Sequence, residues 1–506
     1  MKQSIFSPIA VILGAIFFNA IFWNEKPGLN VLLFDIFIVL TLWQLHKEAF
    51  LTPSVKITVG GTFLAALLII WHNSLISVWI HILSFATMVG LIQQRELRFW
   101  GFAFLQYFSN WFAVPVNLLN QLKSVLIMSG QKNVANRLSG ILLTVFIVPV
   151  FYLIYFAANA KFAELSTHFW NQVFYYITFD INIGHVIFFG WGLFIVAATF
   201  LQQRWINFEK IDAANNKTLV RPENLENNTL MYRNALNLIV SLNILLLINN
   251  ILDVRYVWFG DVSGKTALEL KQYVHEGTYV LIFGIVLAIS VILWLFRNSL
   301  NFIDETEKKP ILLRGATTAW LVQNAVLALS VGIRNGQYID HYGLAYKRIG
   351  VFIFLLLTLY GLWLLYLKIK EKRTFFSFIQ QSSYAIYAVL LATSLVNWDV
   401  FITNYNINTP SKSGAIDVRF LVKDVSDKNL YLLYSNMEHL ASKMSTKPFP
   451  DSEYRQNAPS FSNDAERLTY LKDMLDKKKN AFEAEQKTCS WLSWNYPDYI
   501  NQQFFK

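Results

Sequence analysis

The chain has 506 residues, 55% hydrophobic and 16% aromatic but only 15% charged, with a formal net charge of +10. Soluble chains of this size carry about 25% charged residues, so the composition argues against a soluble globular protein. The positive charge does not imply nucleic acid either: no recognised binding motif accompanies it, and the Lys and Arg are spread through loops beside apolar runs, where membrane lipids are the expected partners.

Apolar runs of about 17 to 23 residues recur from the amino terminus, the length that crosses a hydrocarbon core of roughly 30 Å at 1.5 Å per residue. They predict an all-α polytopic bundle of about eleven transmembrane spans, near 6–23, 28–44, 55–71, 75–93, 138–158, 183–202, 235–253, 277–296, 317–333, 349–368 and 380–396. The first run, IFSPIAVILGAIFFNAIFW, lacks a small-x-small cleavage site and is followed at once by a second span, so it reads as a retained anchor. Two aromatic segments, WGFAFLQYFSNWFAVPVNLL (100–119) and STHFWNQVFYYITF (166–179), are interrupted by polar residues and read as interfacial or re-entrant helices.

Twenty-one Lys and Arg fall at the amino end and in the even-numbered loops, against eight in the odd ones. That bias puts the amino terminus in the cytoplasm and the carboxyl tail outside. Near Tyr405 the composition turns polar, dividing the chain into a transmembrane helical domain (1–404) and a helical extramembrane tail (405–506). In the tail, SDKNLYLLYSNMEHLASKM reads as an amphipathic helix capped by Ser426 or Asp427. A second helix starts at Asn463 and Glu466 in a capping-box-like arrangement, with Leu468, Leu471, Leu475 and Phe482 as its apolar stripe. Cys489 is the sole cysteine, so neither an internal disulfide nor a cysteine-based metal site is expected.

Phosphate-loop, H-E-x-x-H and G-x-S-x-G signatures are absent, and no motif calls for a cofactor. Two ionisable residues sit inside predicted spans: Asp35 in LNVLLFDIFIVL and His81 in ISVWIHILSF. Each lies about 10 Å below the outer boundary of its span, so the two share a depth. A carboxylate there must be paired or hydrated. Together they would form either a proton relay, because imidazole titrates near neutrality, or a polar clamp between helices.

A second group lies at the outer ends of later spans, in NNILDVRYVW (249–258), YVHEG (273–277), RNGQYIDHYGLAYKRIG (334–350) and NWDVFITNYN (397–406). Arg255, Arg334, Asp340, Tyr342, Arg348 and Asp399 could bind an anionic substrate there, with His275 or Glu276 as general base. The alternative is that they anchor helices at the interface.

The motifs YVHEGTYVLIFGIVLA, YGLAYKRIGVFIFLLLTLYGLW, VNWDVFITNYNI and WLSWNYPDY occur in an order that resembles the domain-of-unknown-function 4153/4173 family of bacterial polytopic membrane proteins, over roughly residues 230–500. The resemblance implies an integral protein of the bacterial cytoplasmic membrane and supplies no catalytic residue. One departure is Ala345, where relatives are expected to carry Thr. The leading functional expectation is transporter or channel-like handling of a small solute. The alternatives are an envelope enzyme acting on a lipid or lipid-linked glycan, and a scaffold or signalling protein docking through its tail.

Overall fold

The computed structural model describes residues 2–128, 148, 151–152, 154–176, 182–201, 206–221, 229–260, 277–297, 299–302, 309–409, 411–444, 461 and 463–506. Among these the architecture is all-helical, with isolated bridges between Thr218 and Arg373 and between Ile416 and Met444. Six helices are long and apolar enough to cross a membrane: Pro53–His72, Leu75–Gln93, Leu230–Trp258, Ile311–Tyr342, Tyr346–Lys370 and Phe375–Thr393. Shorter apolar helices at Pro8–Phe22, Leu29–Leu45, Gly184–Phe200 and Tyr279–Leu295 fall on four more of the expected spans. The expected span at 138–158 lies largely outside the described residues. Segments 100–119 and 166–179 fall on the helices Trp100–Met128 and Ala160–Tyr176, neither of which is among the six.

The chain divides into two compact units. The first comprises Met1–Ile70, Val78–Asp212 and Cys489–Trp494. Its helices are α1 (Lys2–Phe22), α2 (Leu29–Leu45), α3 (Pro53–His72), α4 (Leu75–Gln93), α5 (Trp100–Met128), α6 (Ala160–Tyr176), α7 (Ile183–Phe200) and α8 (Phe208–Ala214). Aromatic contacts join α1 to α7: Phe18 stacks on Phe188 at 5.3 Å, and Trp23 on His185 at 4.2 Å. The short carboxyl-terminal turn Trp491–Ser493 clasps the turn between α1 and α2. There Leu29 N–H donates to Trp494 O (3.1 Å), Lys26 N–H donates to Ser493 Oγ (2.8 Å), and Ser493 Oγ–H donates to the Glu25 carboxylate. Gly28 is required at this contact, because a Cβ would lie 2.6 Å from the Ser493 backbone.

The second unit comprises Trp71–Ser77, Ala213–Thr488 and Asn495–Lys506. It contains α9 (Thr229–Asp253), continued by a π turn over Val254–Trp258, then α10 (Gly277–Leu295), α11 (Lys309–Tyr342), α12 (Tyr346–Lys370), α13 (Phe375–Thr393) and α14 (Trp398–Asn408). Its core is aliphatic, with Ile239, Ile292, Leu313, Leu362 and Leu365 in one cluster and Ile285, Leu327, Val331 and Leu355 in another. The 34 residues of α11 reach about 51 Å, well beyond a hydrocarbon layer of roughly 30 Å. Residues 334–342, which fall between the expected spans 317–333 and 349–368, are a helical extension of this span. The turn itself is confined to 343–345, where Gly343 has φ +81°, a conformation that disfavours any side chain. Asn406 of α14 seats that turn by accepting from Leu344 N–H (2.6 Å) and donating to Leu344 O (2.9 Å). Ala345 occupies the N-cap of α12 with no side-chain cap, the position at which a Thr hydroxyl would accept a backbone N–H.

The tail adds α15 (Val418–Lys423), α16 (Leu430–Ser435), α17 (Met437–Lys443), α18 (Asp464–Gln486) and α19 (Tyr496–Phe505). Asn463 caps α18, its side chain accepting from Glu466 N–H at 2.8 Å, and Leu471, Leu475 and Phe482 are buried. The stretch expected as one helix over 426–444 is broken instead. Ser426 caps a 3-10 turn, and Asn436 interrupts the helix by donating from Nδ2 back to Leu432 O (2.9 Å). The tail's apolar side chains share one core with Ile339, Leu344 and Ile402, so the tail and the ends of α11 and α14 fold together.

Candidate functional site

In the first unit, Asp35 lies on α2 and His81 on α4, each six residues after the first residue of its helix. His81 Nε2 is 2.8 Å from Asp35 Oδ2. The shared proton resides either on the ring nitrogen, which then donates, or on the carboxyl, which donates back. Asp35 is fully buried, whereas the His81 side chain is 13% exposed. The second carboxylate oxygen, Oδ1, is buried and accepts no hydrogen bond from any described residue. The pair thus has a solvent- or lipid-facing imidazole at one end and an open acceptor at the other.

The depth of Asp35 is set by Asn30, a wholly buried amide. Its Oδ1 accepts from Gly28 N–H (2.8 Å) and Val31 N–H (2.9 Å), and its Nδ2 donates to Ile21 O (3.1 Å) and Lys26 O (2.9 Å). One side chain thereby satisfies the exposed backbone groups at the end of α1 and the start of α2, which pins the first turn of α2. Below the pair, a chain of amides follows α4. Gln94 Nε2 donates to Gln106 Oε1 (2.6 Å), Gln106 Nε2 to Asn110 Oδ1 (3.0 Å), and Asn110 Nδ2 to Gln93 Oε1. The sequence reading missed this network. Its signal is the 93/94 amide pair and the i,i+4 spacing of 106 and 110.

The outer group is not one constellation. Arg334 Nη2 donates to Asp253 Oδ1, with side-chain exposures of 11% and 6%. This pair is one rung of a ladder between α11 and α9 with its π turn. Gln323 Nε2 donates to Asn243 Oδ1 (2.8 Å), Asn250 Nδ2 to Gln323 O (3.0 Å), Trp258 Nε1 to Ser330 Oγ (2.8 Å) and Gln337 Nε2 to Val257 O (2.8 Å). Arg348 closes its own turn: Nη1 donates to Tyr342 O and Gly343 O, and the guanidinium lies 4.6 Å from the Tyr338 ring centre. Buried Tyr342 packs on Tyr338, their rings 4.8 Å apart. Asp399 accepts from Tyr346 OH and Ser426 Oγ. Asp340 is exposed beside Lys412 at 3.7 Å, and exposed Arg255 lies over Tyr256. His275 and Glu276 fall outside the described residues.

The buried carboxylates therefore differ in how far their acceptors are filled. Asp212 binds Arg98 Nε through Oδ1 (2.6 Å) and two backbone N–H groups through Oδ2 (2.8 and 2.9 Å). Asp498 receives Lys428 Nζ on one oxygen, with Gln486 and Asn495 amides on the other. Only one oxygen is engaged in Asp35 and in Asp253, whose Oδ2 is also buried without a described donor. Asp253 faces a guanidinium that stays protonated, so that pair is held ionic. Asp35 faces an imidazole, which can take or give a proton. Among the described residues no group of three or more His, Cys, Asp or Glu is placed to hold a metal ion.

A family model matches residues 59–435, whereas the motifs alone place the likeness at roughly 230–500. The matched region takes in His81, leaves Asp35 just outside, and ends before WLSWNYPDY. No curated protein and no solved structure matches the chain. The match covers about three quarters of the residues, and the chain belongs to the family described as a domain of unknown function, DUF4153.

Proposed function

We propose that this membrane protein couples protons to the movement of a small solute, with Asp35 and His81 as the titrating pair. The observation that carries the reading is the 2.8 Å contact between an imidazole and a fully buried carboxylate whose other oxygen remains open to a further donor. Asp212 and Asp498 fill both oxygens, and Asp253, which like Asp35 leaves one open, faces an arginine rather than an imidazole that can exchange a proton. The enzyme reading has less support, because Arg334, Arg348 and Asp399 are each committed to bonds that fasten the fold. Placement in the bacterial cytoplasmic membrane, with about eleven crossings and the amino terminus inside, belongs to the same proposal: the family resemblance supports the membrane, the apolar runs the crossings and the charge bias of the loops the orientation.

The test compares wild type with Asp35→Asn and His81→Gln, two near-isosteric changes. Infrared difference spectra recorded through neutral pH would show a carboxyl band that disappears in Asp35→Asn. Proteoliposomes containing an internal pH dye, given a valinomycin-clamped potential, would show proton entry that is lost in both variants. Unchanged spectra and unchanged proton entry in folded Asp35→Asn protein would defeat the proposal.

A further inference from the structure

A cavity of about 450 Å³ opens at the head of α13, lined by Lys217, Arg373, Ser377, Gln380, Gln381 and Tyr384 among others. It lies in the second unit, and its lining residues are not among those of the Asp35–His81 pair. Its size falls within the roughly 300–1,000 Å³ of small-molecule sites.

Its mouth is built by two backbone strips. Residues 217–219 run antiparallel to 372–374: Thr374 N–H donates to Lys217 O (3.0 Å), Leu219 N–H donates to Lys372 O (2.8 Å), and Thr218 bridges Arg373. Thr374 Oγ1–H adds a bond to Asn216 O at 2.6 Å. The strip carrying Arg373 is fastened from below by Lys368, whose buried ammonium donates to Phe296 O (2.8 Å) and Arg373 O (3.1 Å). Two residues with cationic side chains are thus brought to one opening. Arg373 Nη1 donates to Gln381 Oε1 (2.9 Å), which places the guanidinium on the cavity wall, while Nε and Nη2 pair with the Glu371 carboxylate (2.8 and 2.7 Å), leaving the second N–H of Nη1 and of Nη2 for a ligand. Lys217 is exposed and makes no ion pair among the described residues, so the mouth keeps an excess of positive charge.

Behind the cations stand neutral donors. Along α13, Gln381 Nε2 donates to Ser377 Oγ (3.1 Å) and Gln380 Nε2 to Tyr384 OH (3.2 Å), so each hydroxyl that accepts from an amide has its own O–H to turn toward a ligand. The candidate spans on either side end at Lys370 and begin at Phe375, so the opening sits at the membrane–water boundary, the level of lipid headgroups.

We propose that this cavity binds a phosphate oxyanion, with Lys217 and Arg373 contacting the charge and the Ser377, Gln381 and Tyr384 groups completing its hydrogen bonds. The phosphate belongs to a phospholipid headgroup or to a soluble phosphate, and the experiment separates the two.

Full-length protein in neutral detergent is titrated with dioleoylphosphatidylglycerol and bound lipid is counted by native mass spectrometry. Dioleoylglycerol, with the same chains and no phosphate, is the control. The expected result is selective retention of the phospholipid, weakened about tenfold by Lys217→Gln through loss of one charge-assisted bond. Lys210→Gln, an equal charge change at an exposed position of α8, leaves it intact. Lys217 is exposed, so its variant keeps the fold even if Arg373→Gln does not. Inorganic phosphate that protects the protein from heat without lipid, and competes with the lipid, marks a soluble ligand; lipid binding indifferent to inorganic phosphate marks a headgroup. Equal binding of dioleoylglycerol, or Lys217→Gln equal to wild type in both the lipid and the phosphate arms, overturns the proposal.

Discussion

Breaking the contact between Asp253 and Arg334 should separate an interhelical clamp from an arginine held ready for a ligand. The side chains are 6% and 11% exposed and bonded to each other, so Arg334→Met leaves a carboxylate buried without a counter-charge, at a cost of about 3–5 kcal/mol. Asp253→Leu strands the guanidinium and costs about as much. The double change Arg334→Met with Asp253→Leu removes both desolvated charges and lets the seam between α9 and α11 close on apolar groups. It should stay within about 1 kcal/mol of wild type, giving a coupling of several kcal/mol. Heat unfolding in detergent, followed by far-ultraviolet circular dichroism, measures all four proteins. If the double variant loses as much as the two single losses added together, the charges act independently and the clamp is refuted. A loss under about 1 kcal/mol from Arg334→Met alone would show that the guanidinium is not needed to neutralise Asp253.

Burial pushes the Lys478 ammonium in the tail down to about 8, although Asp427, Asp399 and Asp424 pull the other way. The folded tail then releases a proton above about pH 8 that the unfolded chain keeps until about 10.4, so stability should rise between pH 8 and 10 by about 2 to 3 kcal/mol. Guanidinium titrations across that range should show the slope in wild type and lose it in Lys478→Met; a flat wild-type profile would mean that the bonds from Nζ to Val422 O and Val425 O hold the charge. Cys489, the sole cysteine, is half-buried, and a membrane-impermeant maleimide should label it in intact spheroplasts. Labelling only after permeabilisation would put the tail inside and reverse the assignment of every loop after the segment responsible.

Depth and helix type were legible because they depend on local properties of the chain. Runs of apolar residues located the helices, and Asp35 and His81 could be set at one level by counting from Leu29 and Leu75. Partnership was not legible, because it depends on which helix faces meet. Arg334, Asp340, Tyr342, Arg348 and Asp399 all lie near span ends, yet only Tyr342 and Arg348 meet, around Tyr338, while Arg334 bonds Asp253, Asp340 faces Lys412 and Asp399 accepts from Ser426. Polarity also misled at 334–342, where hydrophilic side chains suggested a loop. Those side chains are taken up by α9 and by the turn around Arg348, so the helix continues to Tyr342 and stops where Gly343 permits a positive φ. In the tail, the apolar stripe of α18 was visible from its spacing. The break at Asn436 was not, because it turns on a single amide bonding backward rather than on a change of hydrophobic pattern.

The way this chain uses buried charge bears on which site acts. Lys368 sits in a candidate span, yet its ammonium is occupied by two backbone carbonyls at the junction of α12 and α13, where it replaces hydrogen bonds those carbonyls would otherwise lack. Asp212 and Asp498 do the converse, gathering donors from side chains and backbone until both oxygens are served. Such groups are each held by several bonds at once. Asp35 has one partner, that partner is itself titratable, and the remaining oxygen is uncommitted. Moving a proton across this contact therefore breaks no other bond among the described residues, which is the physical requirement for a group that must cycle between two states.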